Sequence, residues 1–200
     1  VGKIRMRKTI CILISGKAGV GKSISASLLH KYLEERHGIN REIFNFAKAV
    51  KETAKFLGWN GEKDTKGRRF LQHLGQTARE YNKDIWVEKT IYGEIEKYYT
   101  YPLDVVLIDD WRFPNEAEFI SRSPLYEVVK LRIESPGREI LKGTPEYNEE
   151  SEISLPKAVE SPEYYDYILF NEGTIEDLSE KLKVFWEFIL SSRGEYIKWK

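Results

Sequence analysis

The octapeptide GKAGVGKS at residues 16 to 23 constrains this chain more than any other feature, because it fits G-x-x-x-x-G-K-[ST] at every fixed position. It leaves a continuous apolar run, Thr9 to Ser15, and opens a segment of helical periodicity. That strand–loop–helix context is what the motif needs. Its glycines let the backbone curl so that N–H groups converge on phosphate oxygens at the positive end of a helix dipole. Gly16, Lys17, Ala18, Gly19, Val20 and Gly21 form the cradle, Lys22 reaches the β- and γ-phosphates, and Ser23 offers a hydroxyl to Mg2+. The expected cofactors are ATP and Mg2+.

Downstream, strand and helix signals alternate, the pattern of a parallel α/β sheet. A helix from about Lys22 to Arg36 carries Ile24, Leu28 and Tyr32 at four-residue intervals, and Gly38 stops it. Ile43 to Phe46 reads as a strand and Ala47 to Leu57 as a helix ended by Gly58. Lys66 to Tyr81 is a helix with the stripe Leu71, Leu74 and Ala78. Another helix spans Ile85 to Tyr98, packing Val87, Ile91 and Ile95. Leu103 to Ile108 is a buried strand, Asn115 to Ser121 a short helix, and Glu127 to Ile133 and Tyr167 to Phe170 are the last strands. Thr174 caps a final helix with Asp177 as capping-box partner, and Ile175, Leu178, Leu182, Phe185 and Ile189 face the core. Between the last two strands, Pro136 to Pro162 holds four prolines and few apolar residues, and so reads as an irregular excursion or lid. The expectation is one α/β domain over residues 1–200, a P-loop three-layer sandwich on a five-stranded parallel sheet.

Charge and composition exclude several partners. Lysine plus arginine equal aspartate plus glutamate at 32 each, which argues against a nucleic-acid polymer or an anionic membrane as partner. No apolar run approaches the roughly 20 residues of a membrane helix, and the N-terminus shows no secretion signal. The only cysteine, Cys11, lies in the apolar run ICILI and reads as an inert thiol in a reducing compartment, hence a cytoplasmic protein.

The acceptor side begins at VVLIDD, residues 105 to 110, which ends a buried strand in two acids suited to a metal. Strand alternation means Asp109 and Asp110 cannot both face the cradle. Arg112, two residues past Asp110, shares its face if the strand continues, and its guanidinium suits a phosphate oxygen pair. Arg68, Gln72, Gly75 and Arg79 are spaced four, three and four apart and share one helix face. On spacing alone that face is equally a solvated one, Lys51 a surface lysine and Trp86 a core residue.

With these marks the chain resembles the deoxynucleoside monophosphate kinases of tailed phages and some prokaryotic genomes, a branch of the P-loop nucleotide kinases. The resemblance runs from Ile10 to about Leu182. It rests on the cradle, FAKAVK at 46 to 51, FLQHLGQTAR at 70 to 79, Trp86, DWRFPNE at 110 to 116, SEISL at 151 to 155 and NEGTIEDL at 171 to 178. It implies the nucleoside-monophosphate-kinase core, with an acceptor-binding helical region over about 47–98 and a lid over about 136–163. It further implies transfer of the γ-phosphate of ATP to a (deoxy)nucleoside monophosphate, and a possible homodimer. Lys22, Asp110 and Arg112 would be catalytic, with Asp110 rather than Asp109 the working acid beside Ser23 at the metal. Lys51, Arg68, Gln72, Arg79, Trp86, Arg112 and Glu152 would surround the acceptor, and the Asn171 segment would pass near the adenine. Two positions depart from the family: Glu149 stands where a histidine is usual, and Ser135 where many members carry an arginine. Arg138 is the substitute expected as lid arginine.

Other readings stay open. The same scaffold serves dephospho-coenzyme A or a phosphorylated isoprenoid precursor of phosphomevalonate type. A guanine switch normally shows Asn-Lys-x-Asp, and NKD at 82 to 84 lacks the spacer. A motor ATPase usually needs more chain, and a silent binding module would not need the intact set Lys22, Ser23 and Asp110.

Overall fold

A computed structural model describes residues 8–37, 39–138 and 153–192. β1 (Thr9–Ser15) leads through the Gly-rich loop into α1 (Lys22–His37), followed by β2 (Arg41–Phe44), α2 (Phe46–Phe56), α3 (Thr65–Tyr81) and α4 (Ile85–Gly93). β3 (Val105–Ile108), α5 (Pro114–Ser121), β4 (Tyr126–Glu134), β5 (Tyr167–Phe170) and α6 (Ile175–Ser192) complete the order. The strands form one sheet in the order β2-β3-β1-β4-β5, and every pairing is parallel.

β1 sits at the centre and is covered on both faces, which is why it reads as an unbroken apolar run rather than an alternating one. Ile10, Ile12 and Ile14 face the cluster built with α1 and α6, through Ala26, Leu29, Leu33, Leu182, Phe185 and Trp186. Cys11 and Leu13 face the opposite cluster, built with α2, α4 and α5 through Val50, Trp86, Val87, Ile91, Ala117 and Ile120. The result is an α/β three-layer sandwich, and burial pushes the Cys11 thiol far above its usual range. No described helix is long and apolar enough to cross a membrane.

Several details differ from the sequence expectation: β2 spans Arg41–Phe44 rather than 43–46, Phe46 opens α2, and β3 begins at Val105 rather than Leu103. The core face of α1 is Ala26, Leu29 and Leu33, all fully buried, whereas Ile24 is 50% exposed and Leu28 and Tyr32 only flank the core. The helix expected over 85–98 breaks after Gly93, a weak helix former, and a 3-10 segment, Ile95–Thr100, returns Ile95 to the core. Ile175, in the first turn of α6, is 57% exposed rather than facing the core, which begins at Leu178. Gly38 and residues 139–152 of the excursion lie outside the described residues.

Candidate functional site at the carboxyl edge of the sheet

All five parallel strands end on one edge, and both halves of the site are built there. β1 runs out at Ser15 beside Arg132 of β4, and Leu13 pairs with Ile108, the last residue of β3. The chain leaving β3 stays alongside β1, since the Trp111 N–H donates to the Ile14 carbonyl at 3.2 Å. The loop at 16–21 therefore lies next to the segment at 109–113.

Within the loop, Lys22 folds back and its Nζ donates to the carbonyls of Gly16 at 2.7 Å and Lys17 at 2.9 Å. Gly21 has φ +102°, and a Cβ there would stand 2.7 Å from the Asn171 amide nitrogen, so glycine meets both demands. That amide donates to the Val20 carbonyl at 2.9 Å, while the Asn171 N–H donates to Glu134 O at 2.8 Å and its carbonyl accepts from the Ser135 hydroxyl. Ser135, a departure from the expected arginine, is thus a buried brace behind the loop. The loop opens α1, whose first N–H groups have no intrahelical carbonyl to bond, and such an end receives phosphate oxygens. Ser23 is exposed at its start.

Beside it lies a cavity of about 350 Å³, lined by α2, α3 and the 110–116 segment. Lys51, Gln72, Arg79, Asp110 and Arg112, widely separated in sequence, all reach its wall. β3 stops at Ile108, so strand parity does not carry Arg112 to the cavity; an extended turn does. Asp110 is held firmly: its two carboxylate oxygens accept the N–H groups of Phe46 at 2.9 Å and Ala47 at 2.8 Å, the first turn of α2. Burial raises its pKa, Asp109 adds to the rise, and the two N–H bonds and Arg112 oppose it. Arg79 lies over the Phe113 ring, 4.1 Å from its centroid, and Gly75 one turn earlier leaves room, since a Cβ there would meet the Arg79 guanidinium at 3.3 Å.

Some expected residues fall elsewhere. Arg68 is exposed in the first turn of α3 and outside the cavity wall, because its Nε donates back to the Lys63 carbonyl at 2.9 Å. Trp86 is a core residue, 2% exposed, whose indole N–H donates to Gly75 O at 3.1 Å and so supports α3 from beneath. Arg138 is exposed and donates to Gly173 O at 2.8 Å, next to the Asn171 segment. Glu152 and Glu149 lie outside the described residues.

Glu116 is a wall residue that sequence reasoning did not single out. It is 3% exposed, and its Oε2 accepts the N–H groups of Arg112 and Phe113, both at 3.0 Å. Burial lifts its pKa to about 7, with Asp110 adding and Arg79 opposing. Proline at the first helical position with glutamate at the third was the available signal, obscured by Phe113 in the cap position. Among the described residues no group of three or more His, Cys, Asp or Glu could hold a metal unaided. The Ser23 hydroxyl and the carboxylates at 109 and 110 are hard oxygen donors that fit Mg2+, which usually takes only one or two protein ligands and completes its shell from phosphates and water.

No protein-family model matches the chain, and no curated protein matches it either. Among solved structures it is similar to the APS kinase of Mycobacterium tuberculosis in complex with AMPPNP and APS, at 12% identity over 90% of this chain and 98% of that one, with a TM-score of 0.46. It is similar to the dephospho-CoA kinase of Campylobacter jejuni at 12% identity over 92% and 98%, TM-score 0.48. The shikimate kinase of Bacteroides thetaiotaomicron gives 14% identity over 89% and 98%, TM-score 0.40.

Proposed function

We propose that this chain is an ATP-dependent kinase that transfers the γ-phosphate to a (deoxy)nucleoside monophosphate, giving ADP and the acceptor diphosphate. The observation that carries the reading is a cationic cavity beside a phosphate cradle on one sheet edge, with Lys51, Arg79 and Arg112 in its wall. Three cations there outnumber the two wall carboxylates, Asp110 and Glu116. A phosphate acceptor brings its own anionic oxygen and needs only positioning and charge neutralisation. The apolar part of the wall, from Phe46, Val50, Leu71 and Phe113, suits a planar base, and Gln72 offers it an amide.

In this reading the loop from Gly16 to Ser23 holds the ATP phosphates, and Lys22 turns from its loop carbonyls to the β- and γ-phosphates. Ser23 and Asp110 would hold Mg2+, which would supply charge neutralisation on the donor phosphates. Arg79, Arg112 and Lys51 hold the acceptor phosphate in line, the Asn171 and Arg138 segments lie toward the adenine, and the excursion at 136–163 excludes water. The enzyme would act on free nucleotides in the cytoplasm as one domain, alone or as a homodimer.

The decisive experiment is a coupled ADP-release assay across the common nucleoside and deoxynucleoside monophosphates, with Lys22→Ala as control. Turnover with at least one monophosphate, lost about 100-fold or more in the control, is the expected outcome. Turnover confined to dephospho-coenzyme A or phosphomevalonate would assign the cavity to another acceptor.

A further inference from the structure

We infer that Glu116 is the positioning residue of the acceptor cavity, one buried carboxylate that sets both arginines facing it. What the cavity holds is taken from the kinase reading; how its arginines are held is independent of it.

A helix cap at α5 requires only a bond to the N–H of Phe113, the residue at the cap position. Glu116 makes that bond and a second one, to the N–H of Arg112, which lies outside the helix. The second bond fixes the backbone from which the Arg112 side chain projects. The first fixes Phe113, whose ring lies beneath the Arg79 guanidinium at 4.1 Å. One oxygen, Oε2, therefore registers a cation on the β3–α5 segment and a cation on α3.

The surroundings favour this over capping alone. An exposed side chain could cap α5 without desolvation, whereas Glu116 is 3% exposed and carries the like charge of Asp110 nearby. The first turn of α5 is also tied to the turn that joins α3 to α4: the Asn115 amide donates to Asp84 Oδ1 at 2.8 Å and to the Lys83 carbonyl at 2.9 Å. The charges acting on Glu116 are those of Asp110 from the β3–α5 segment and Arg79 from α3, while Arg112 meets it through its backbone N–H and lines the same cavity.

The test uses the full chain labelled with nitrogen-15 arginine, comparing wild type, Glu116→Gln and Glu116→Ala without nucleotide. Arg79 and Arg112 are assigned through their lysine variants. The amide oxygen of glutamine can accept the same two N–H groups, so Glu116→Gln should keep both Nε–H signals in place. Glu116→Ala should move both toward the values of solvent-exposed arginines. In kinetics, Glu116→Ala should lose about tenfold or more in kcat/KM for the monophosphate with the KM for ATP unchanged, and Glu116→Gln should stay within about threefold. Asp177→Ala, which removes the capping carboxylate of α6 on the other sheet face, controls for lost stability. Unmoved arginine signals in Glu116→Ala, or equal movement in Asp177→Ala, overturn the inference. Moved signals in a chain whose wild type phosphorylates no monophosphate support the positioning role and remove the kinase reading instead.

Discussion

The side-chain amide of Asn171 donates to the Val20 carbonyl at 2.9 Å, joining the end of β5 to the cradle across 151 positions of sequence. Loss of a buried hydrogen bond typically costs about 0.5 to 1.5 kcal/mol, and more if the partner is left unsatisfied. Asn171→Ala should therefore lower the melting temperature by a few degrees and raise the KM for ATP severalfold, sparing the acceptor. Asn171→Asp should be worse, because a carboxylate repels the carbonyl it replaces a donor to. An unchanged KM for ATP in Asn171→Asp would show that the strut is dispensable.

Asp110 and Asp109 should separate in two measurements. Both oxygens of Asp110 accept N–H groups of α2, and an asparagine would turn an NH2 against one of them. Asp110→Asn should cost about 1 to 3 kcal/mol in denaturant unfolding and lose more Mg2+-dependent turnover than Asp109→Asn across a Mg2+ titration. Equal losses, or a larger loss at Asp109, would move the working acid to Asp109.

Replacing Arg79 or Arg112 with lysine keeps the charge and removes the planar fork. With bonds to charged groups worth roughly 1.5 to 3 kcal/mol, kcat/KM for the monophosphate should fall about tenfold to hundredfold. ATP binding should hardly change. Steady-state kinetics with each substrate varied checks this, and weaker ATP binding with an intact acceptor step would put both arginines on the donor side.

Glu116 gives the protein an unusual pH response. Its native pKa of about 7 lies above the usual 4.5, so between those values the folded protein holds a proton that the unfolded chain has released. Stability then falls as pH rises through that window, by up to about 3 kcal/mol. Asp110, also raised by burial, acts in the same direction. Melting curves from pH 5 to 8 should show wild type losing stability relative to Glu116→Gln, with the variant at least equal above pH 7. A wild type that gains on the variant as pH rises contradicts the assignment.

Reading the sequence worked where a segment offers one interpretation. β1 and β5 have the expected limits, and α2 and α3 begin within one residue of them. α1 offered two apolar rows at helical spacing, Ile24–Leu28–Tyr32 and Ala26–Leu29–Leu33, and only its packing on the sheet selects the second. For the site, helix spacing put Arg68, Gln72 and Arg79 on one face; Gln72 and Arg79 reach the cavity wall, while Arg68 lies outside it, since spacing cannot report a side chain that bonds backward to its own N-terminal loop. Glu116 carried a partial signal, proline at the first helical position and glutamate at the third, which Phe113 at the cap position obscured, and the Asn171 amide carried none, because its partner is a backbone carbonyl 151 positions away.

Cys11 has a practical consequence. It is fully buried on β1, between Val106 of β3 and Val128 of β4, and burial holds its sulfur in the protonated form. Maleimides and disulfide reagents attack the thiolate, so toward them the folded chain behaves as though cysteine-free. A fluorophore or spin label can be attached through a single introduced cysteine without first removing the native one. Pairing a label at the cradle with one on α3 would let the separation of the Gly-rich loop and the cavity wall be followed as nucleotides are added to an otherwise native protein.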